Sequence, residues 1–125
     1  MKRSEGAGLK LNLLVLRVED LEASRTFYAA LGLDLVPEKH GDGPLHLSCD
    51  LQGTVMELYP RSREMRPTSL RLGFRVTRAA LDRLTSSGSS PRLLRQTGGV
   101  ATYLVRDPDE NAIELEVAMD GVAAS

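Results

Sequence analysis

Tryptophan is absent from this 125-residue chain, and aromatic residues make up only 4% of it. A surface that stacks nucleic-acid bases needs more rings than that. Neither sign of charge dominates, since 16 Lys and Arg stand against 17 Asp and Glu for a net charge of −1. That balance removes the bulk electrostatic reason to expect nucleic acid or an anionic membrane as a partner. No apolar run approaches the ~20 residues of a membrane span. The start, Met1-Lys-Arg-Ser-Glu-Gly6, lacks the apolar core of a signal peptide. Cysteine occurs once, as Cys49, which rules out an internal disulfide. The expectation is a cytoplasmic protein with a small buried thiol, a reactive thiol being the alternative. There is no phosphate-binding glycine loop, no dinucleotide glycine motif and no nucleophile elbow.

What is present is organised around Arg106-Asp-Pro-Asp-Glu-Asn-Ala-Ile-Glu-Leu-Glu-Val117. Asp107-Pro108-Asp109 is turn chemistry. From Ala112 the chain alternates, with Ile113, Leu115 and Val117 on one side and Ala112, Glu114 and Glu116 on the other. An acid in the middle of a strand needs a partner, because a desolvated carboxylate is costly. The same pattern occurs earlier in Val55-Met56-Glu57-Leu58-Tyr59. Leu16-Arg17-Val18 and Phe74-Arg75-Val76 each precede a helical pattern, at almost the offset that separates Glu57 from Glu114. The sequence therefore contains a repeat of about half its length, each copy reading strand, helix and three strands.

In the first copy the spacing predicts a strand over Lys10–Val18, with Leu13, Val15 and Arg17 facing away from Leu14, Leu16 and Val18. Asp20 caps a helix that ends at Leu31 before Gly32. Strands follow over Leu33–Glu38, Leu45–Asp50 and Thr54–Tyr59, with a loop at His40–Pro44. Pro60–Pro67, with Arg61, Arg63 and Arg66, reads as a linker that is either solvated or borders an anionic ligand. In the second copy a strand over Leu70–Val76 leads to a helix from Thr77 to Ser87. Strands over Arg92–Gln96, Val100–Val105 and Ala112–Val117 complete it. The length suits one domain, 1–125, built of repeats at about 10–59 and 69–117. The expected core is Leu14, Leu16, Val18, Phe27, Leu31, Leu47, Leu58, Phe74, Val76, Leu81, Leu84, Ile113 and Leu115.

Leu16-Arg-Val-x-Asp-Leu-Glu-Ala-Ser24, Phe27-Tyr28-x-x-Leu31-Gly32-Leu33 and Arg106-Asp-Pro-Asp-x-Asn111-x-Ile-Glu-Leu115 occur in order. Together they resemble the vicinal-oxygen-chelate superfamily, which includes glyoxalase I, extradiol dioxygenases, fosfomycin-resistance enzymes and bleomycin-resistance proteins. The resemblance implies an α+β fold of two βαβββ modules, each curling a mixed sheet into a cup. It also implies a homodimer, because the fold commonly pairs modules across chains. Metal enzymes of the group take ligands from the first and fourth strand of each module, which are Leu13, Glu57, Arg71 and Glu114 here. Leu has no lone pair and Arg stays protonated, so no transition metal is expected to bind the chain stoichiometrically.

The cup face should hold Arg17, His46, Ser48, Glu57, Tyr59, Arg71, Arg75, Glu114 and Glu116. A tight turn at Leu51-Gln52 would set His46 opposite Glu57 and Ser48 opposite Val55. Such polar groups in a partly apolar concavity suit a small-molecule ligand. Glu57 and Glu114 could equally be internal ion-pair partners of Arg71 or Arg75, and His46 an ordinary strand residue. Arg71 is expected between Glu57 and Glu114, in the space of the missing ion. Three readings stay open: a metal-free binding protein without catalytic residues or cofactor, a metal enzyme using His46, Glu57 and Glu114, and a structural or dimerisation module.

Overall fold

The repeat in the sequence is a repeat in space. The computed structural model describes residues 8–65 and 69–119. Its first half runs β1 (Leu13–Val18), α1 (Leu21–Leu31), β2 (Val36–Glu38), β3 (His46–Leu51) and β4 (Thr54–Pro60). Its second half runs β5 (Arg71–Arg75), α2 (Arg78–Ser86), β6 (Arg92–Thr97), β7 (Val100–Arg106) and β8 (Ala112–Ala118). The two sheets share one topology, β1-β4-β3-β2 and β5-β8-β7-β6. The first and fourth strand of each half pair in parallel, and the rest are antiparallel. This is the expected α+β architecture of two βαβββ modules with mixed sheets.

Local chemistry sets the ends of the elements. The Asp20 side chain accepts from the Ala23 amide and Thr77 accepts from Ala80, which satisfies helix donors that have no intrahelical partner. Gly32 closes α1 in the left-handed region at φ 114°. The β3–β4 and β6–β7 hairpins close through two-residue turns with positive φ, Gln52-Gly53 at 54° and 96° and Gly98-Gly99 at 60° and 79°. That conformation matches the twist of the flanking strands.

The first of these turns corrects the expected register. Leu51 pairs with Thr54, so Ser48 lies opposite Glu57 and Asp50 opposite Val55. The turn residues are Gln52-Gly53 rather than Leu51-Gln52, because glycine tolerates the second positive φ. The slip is two residues, one full pleat period, so His46, Ser48 and Glu57 keep the face they were given.

Ten of the expected core residues are buried: Leu16, Val18, Phe27, Leu31, Leu47, Leu58, Leu81, Leu84, Ile113 and Leu115. Leu14, Phe74 and Val76 are partly buried and pack against that cluster. The halves meet through α1 against α2, and no strand of one sheet packs along the other sheet among the described residues. Tyr28 of α1 also approaches Phe74 of β5 edge-on. The helices thus cover one face of each sheet, and the polar face of each is the one they leave bare.

A buried polar lock ties the halves. The Tyr28 hydroxyl donates to Asp107 Oδ2 at 2.6 Å. Asp107 also accepts from the Asp109 amide and from the amide and side chain of Asn111. Burial, then the adjacent Asp107 carboxylate, pushes the Tyr28 phenol far above its ordinary range, so it stays a donor. Asp109 accepts from the Glu19 amide and the Ser24 hydroxyl.

Candidate functional site

On the bare face of the first sheet, β1 pairs Arg17 with Tyr59 of β4. The Tyr59 ring stacks on His46 with centroids 4.2 Å apart and planes 7° from parallel. The Arg17 guanidinium lies 4.8 Å from the Tyr59 centroid, and the His40 ring lies 5.2 Å from His46. A row of His40, His46, Tyr59 and Arg17 therefore crosses the sheet. It explains how His46 can face the cup and still be 1% exposed. Ser48 and Glu57 lie beside the row as a cross-strand pair. Cys49, on the opposite side of β3, has its thiol pushed up by burial, which disfavours the reactive thiolate.

His46 is held by contacts at both nitrogens. Nδ1 is 3.3 Å from the Pro44 carbonyl, which assigns the proton to Nδ1. Nε2 is buried without a hydrogen-bond partner. It points at Glu38 Oε2 and Glu57 Oε2, each 3.6 Å away.

The bare face of the second sheet is ionic. Arg71 Nε donates to Glu114 Oε2 at 2.5 Å, and Arg95 Nη2 donates to Glu114 Oε1 at 3.2 Å. Arg75 Nη2 donates to Glu116 Oε1 at 3.2 Å. The Arg71 hydrogen bond, more than Arg95, holds the Glu114 carboxyl below its usual range. Gly73, Phe74, Arg75, Glu114 and Glu116 line a shallow concavity of about 210 Å³.

Two expectations need correction. Arg71 does not bridge the two glutamates: it holds Glu114, while Glu57 faces His46. The helices lie on the covered faces of both sheets, so one chain does not bring Glu57 and Glu114 together. For the same reason His46, Glu57 and Glu114 do not assemble as a metal set; both Glu114 oxygens are already engaged by arginines. The first-strand positions do not fit an ion either, since Leu13 lies half exposed on the bare face and Arg71 carries its own charge.

Sequence reasoning missed Arg95, Glu38 and His40. A bulge between Leu93 and Arg95 shifts β6 by one residue, and that shift turns Arg95 toward Glu114. Strict alternation from Arg92 would turn it away. Glu38 and His40 carried a signal in their i, i+2 spacing beside His46, hidden by reading residues 40–44 as loop. In the linker, Arg61 pairs with Glu19 at 2.8 Å, and Arg66 lies outside the described residues.

The sequence model of the Glyoxalase/Bleomycin resistance protein/Dioxygenase superfamily matches residues 10–115. No curated protein matches the chain. TnmS3, an antibiotic binding protein from Streptomyces sp. CB03234, is similar at 27% identity and TM-score 0.69, over 91% of this chain and 99% of that one. A glyoxalase/bleomycin resistance protein from the same organism is similar at 28% identity and TM-score 0.65, over 85% of this chain and 98% of that one. A glyoxalase/dioxygenase from Nostoc punctiforme shares the fold, with TM-score 0.70 at 19% identity, over 96% of this chain and 99% of that one.

Proposed function

The chain belongs to the glyoxalase/bleomycin resistance/dioxygenase superfamily, and from that premise we propose that it binds a small organic molecule in its cup without transforming it. The observation that carries this reading is the replacement of an ion at the family's ligand positions by the Arg71–Glu114–Arg95 network. Arginines supply positive charge but cannot act as a Lewis acid. Binding can then persist where metal chemistry at that point cannot. The likeness to an antibiotic binding protein supports sequestration as the role.

The binding unit on this reading is a homodimer of single-domain chains in the cytoplasm. A concavity of about 210 Å³ is smaller than the ~300–1,000 Å³ of ordinary ligand pockets, so one sheet supplies only part of a wall. On the first sheet, Leu11 just before β1 and Leu13 and Val15 on it are exposed, at 67%, 49% and 36%. A second copy would cover them and add the opposing cup. Among the described residues no helix is long and apolar enough to cross a membrane.

Thermal unfolding in chelator, against bleomycin and a panel of aromatic antibiotics, tests the reading. A true ligand at 100 times its Kd should add about 2.7 kcal/mol of stability. A panel that leaves the midpoint unmoved, together with a monomeric protein, would contradict it.

A further inference from the structure

We propose that Glu38, His40 and His46 form a site for one divalent ion of the zinc class at the outer edge of the first sheet, beside the cup. The proposal stands apart from the binding reading, because it concerns none of the positions occupied by Leu13, Arg71 and Glu114.

The donors are brought together by ordinary strand geometry. Glu38 closes β2 and pairs directly with His46 of β3. His40 follows Glu38 by two residues, so an extended chain returns it to the same side. The loop that follows fixes its backbone: the Gly43 amide donates to the His40 carbonyl at 2.9 Å. A Cβ on Gly43 would meet that oxygen at 3.0 Å, so a larger residue there would have to shift the turn by a few tenths of an ångström.

The donor atoms suit an ion. Glu38 Oε2 lies 3.2 Å from His40 Nε2 and 3.6 Å from His46 Nε2. A tetrahedral ion with bonds of about 2.0–2.1 Å holds its donors about 3.3–3.4 Å apart. The ligating atoms of all three residues lie within 4.8 Å of one another. His46 is the second, independent sign. Its Nε2 is buried and unpartnered, and its Nδ1 contact with the Pro44 carbonyl is the arrangement that fixes a ligating imidazole. An imidazole nitrogen facing two carboxylate oxygens calls for a positive charge there, which either a metal ion or a proton supplies. Two imidazoles and one carboxylate favour zinc over the hard ions calcium and magnesium.

The site has an entry path and an open position. The His40 side chain is 73% exposed and that of Glu38 38% exposed, while His46 forms the buried wall. Three protein ligands leave a fourth place for water or for a donor atom of a bound molecule. Glu57, 3.6 Å from His46 Nε2, flanks that place and could accept a proton from a bound water.

The test uses untagged, chelator-stripped protein titrated with Zn²⁺ and, separately, Co²⁺. The expected result is one equivalent per chain and the intense visible band of tetrahedral Co²⁺. His40→Ala, at an exposed position, and Glu38→Gln, at a half-buried one, should weaken uptake by more than the ~10–100-fold that loss of an outer-shell partner costs. Glu57→Gln should change it only a few-fold. Affinity should fall below the ordinary histidine range, because protons compete for the same nitrogens. Absence of stoichiometric uptake, or uptake that His40→Ala and Glu38→Gln leave unchanged, overturns the site. So does an imidazolium proton on Nε2 seen by NMR at neutral pH in the presence of saturating Zn²⁺. Antibiotic binding that survives chelator leaves the proposed function intact whichever way the metal titration falls.

Discussion

At the scale of residues, the outcome was decided by which partner each polar group finds. Tyr28 and Asp107 form the most buried of these pairs, and the sequence showed only half of it. Phe27-Tyr28 was legible as helix stripe and Asp107-Pro-Asp as turn. Their contact, across 79 residues of chain, is tertiary and leaves no local trace. Tyr28→Phe leaves Asp107 with its Asn111 and Asp109 bonds, so the expected loss is about 1.5–3 kcal/mol in urea unfolding. The Tyr28 phenol is raised in the fold, so its contribution is full below the ordinary tyrosine value of 10.0 and falls as the unfolded chain ionises above it. The wild-type advantage over Tyr28→Phe should therefore shrink above about pH 10. An advantage that grows with pH would mean the hydroxyl ionises in place. Glu114 runs the other way: its carboxyl is lowered, so the ion pairs with Arg71 and Arg95 persist through the usual glutamate range and are lost only at lower pH.

At the scale of elements, the period-two alternation was enough to assign faces, and it failed where an extra residue enters. Glu57 lies between buried Met56 and Leu58, and Glu114 between buried Ile113 and Leu115, as their spacing requires. The pairing of His46 was misread by two residues, because a sequence cannot easily distinguish Leu51-Gln52 from Gln52-Gly53 as the turn. Arg95 was invisible because a bulge has no compositional mark in Arg92-Leu-Leu-Arg95. The turn makes a prediction of its own. Gln52 holds φ 54° without being glycine, and Gly53 holds 96°. Gln52→Asn should raise stability by up to about 1 kcal/mol, since Asn tolerates this region better. Gly53→Ala should lower it by about 1 kcal/mol or more. Thermal melts of the two variants that move in the same direction would contradict the turn assignment.

At the scale of the whole molecule, the repeat was plain in the sequence, while the relation between the halves was not. Helix α1 packs on α2, so the two bare faces belong to one chain yet do not close on each other. A single sequence carries no signal for whether a cup is completed from its own chain or from another. On the homodimer reading, Leu11→Glu with Leu13→Glu places acids on the exposed apolar row at the start of β1 and just before it, and should convert the dimer to monomer in sedimentation. The helical core lies on the other side, so the fold should survive. A dimer indifferent to both changes would have to use another surface.

The most direct test of the account is a calorimetric titration of the protein with its strongest stabilising antibiotic, in excess chelator, with the ligand recovered afterwards. The account predicts saturable binding, one molecule per cup, and a ligand returned chemically unchanged. Binding abolished by chelator, or a ligand recovered as product, would contradict a metal-independent binding protein.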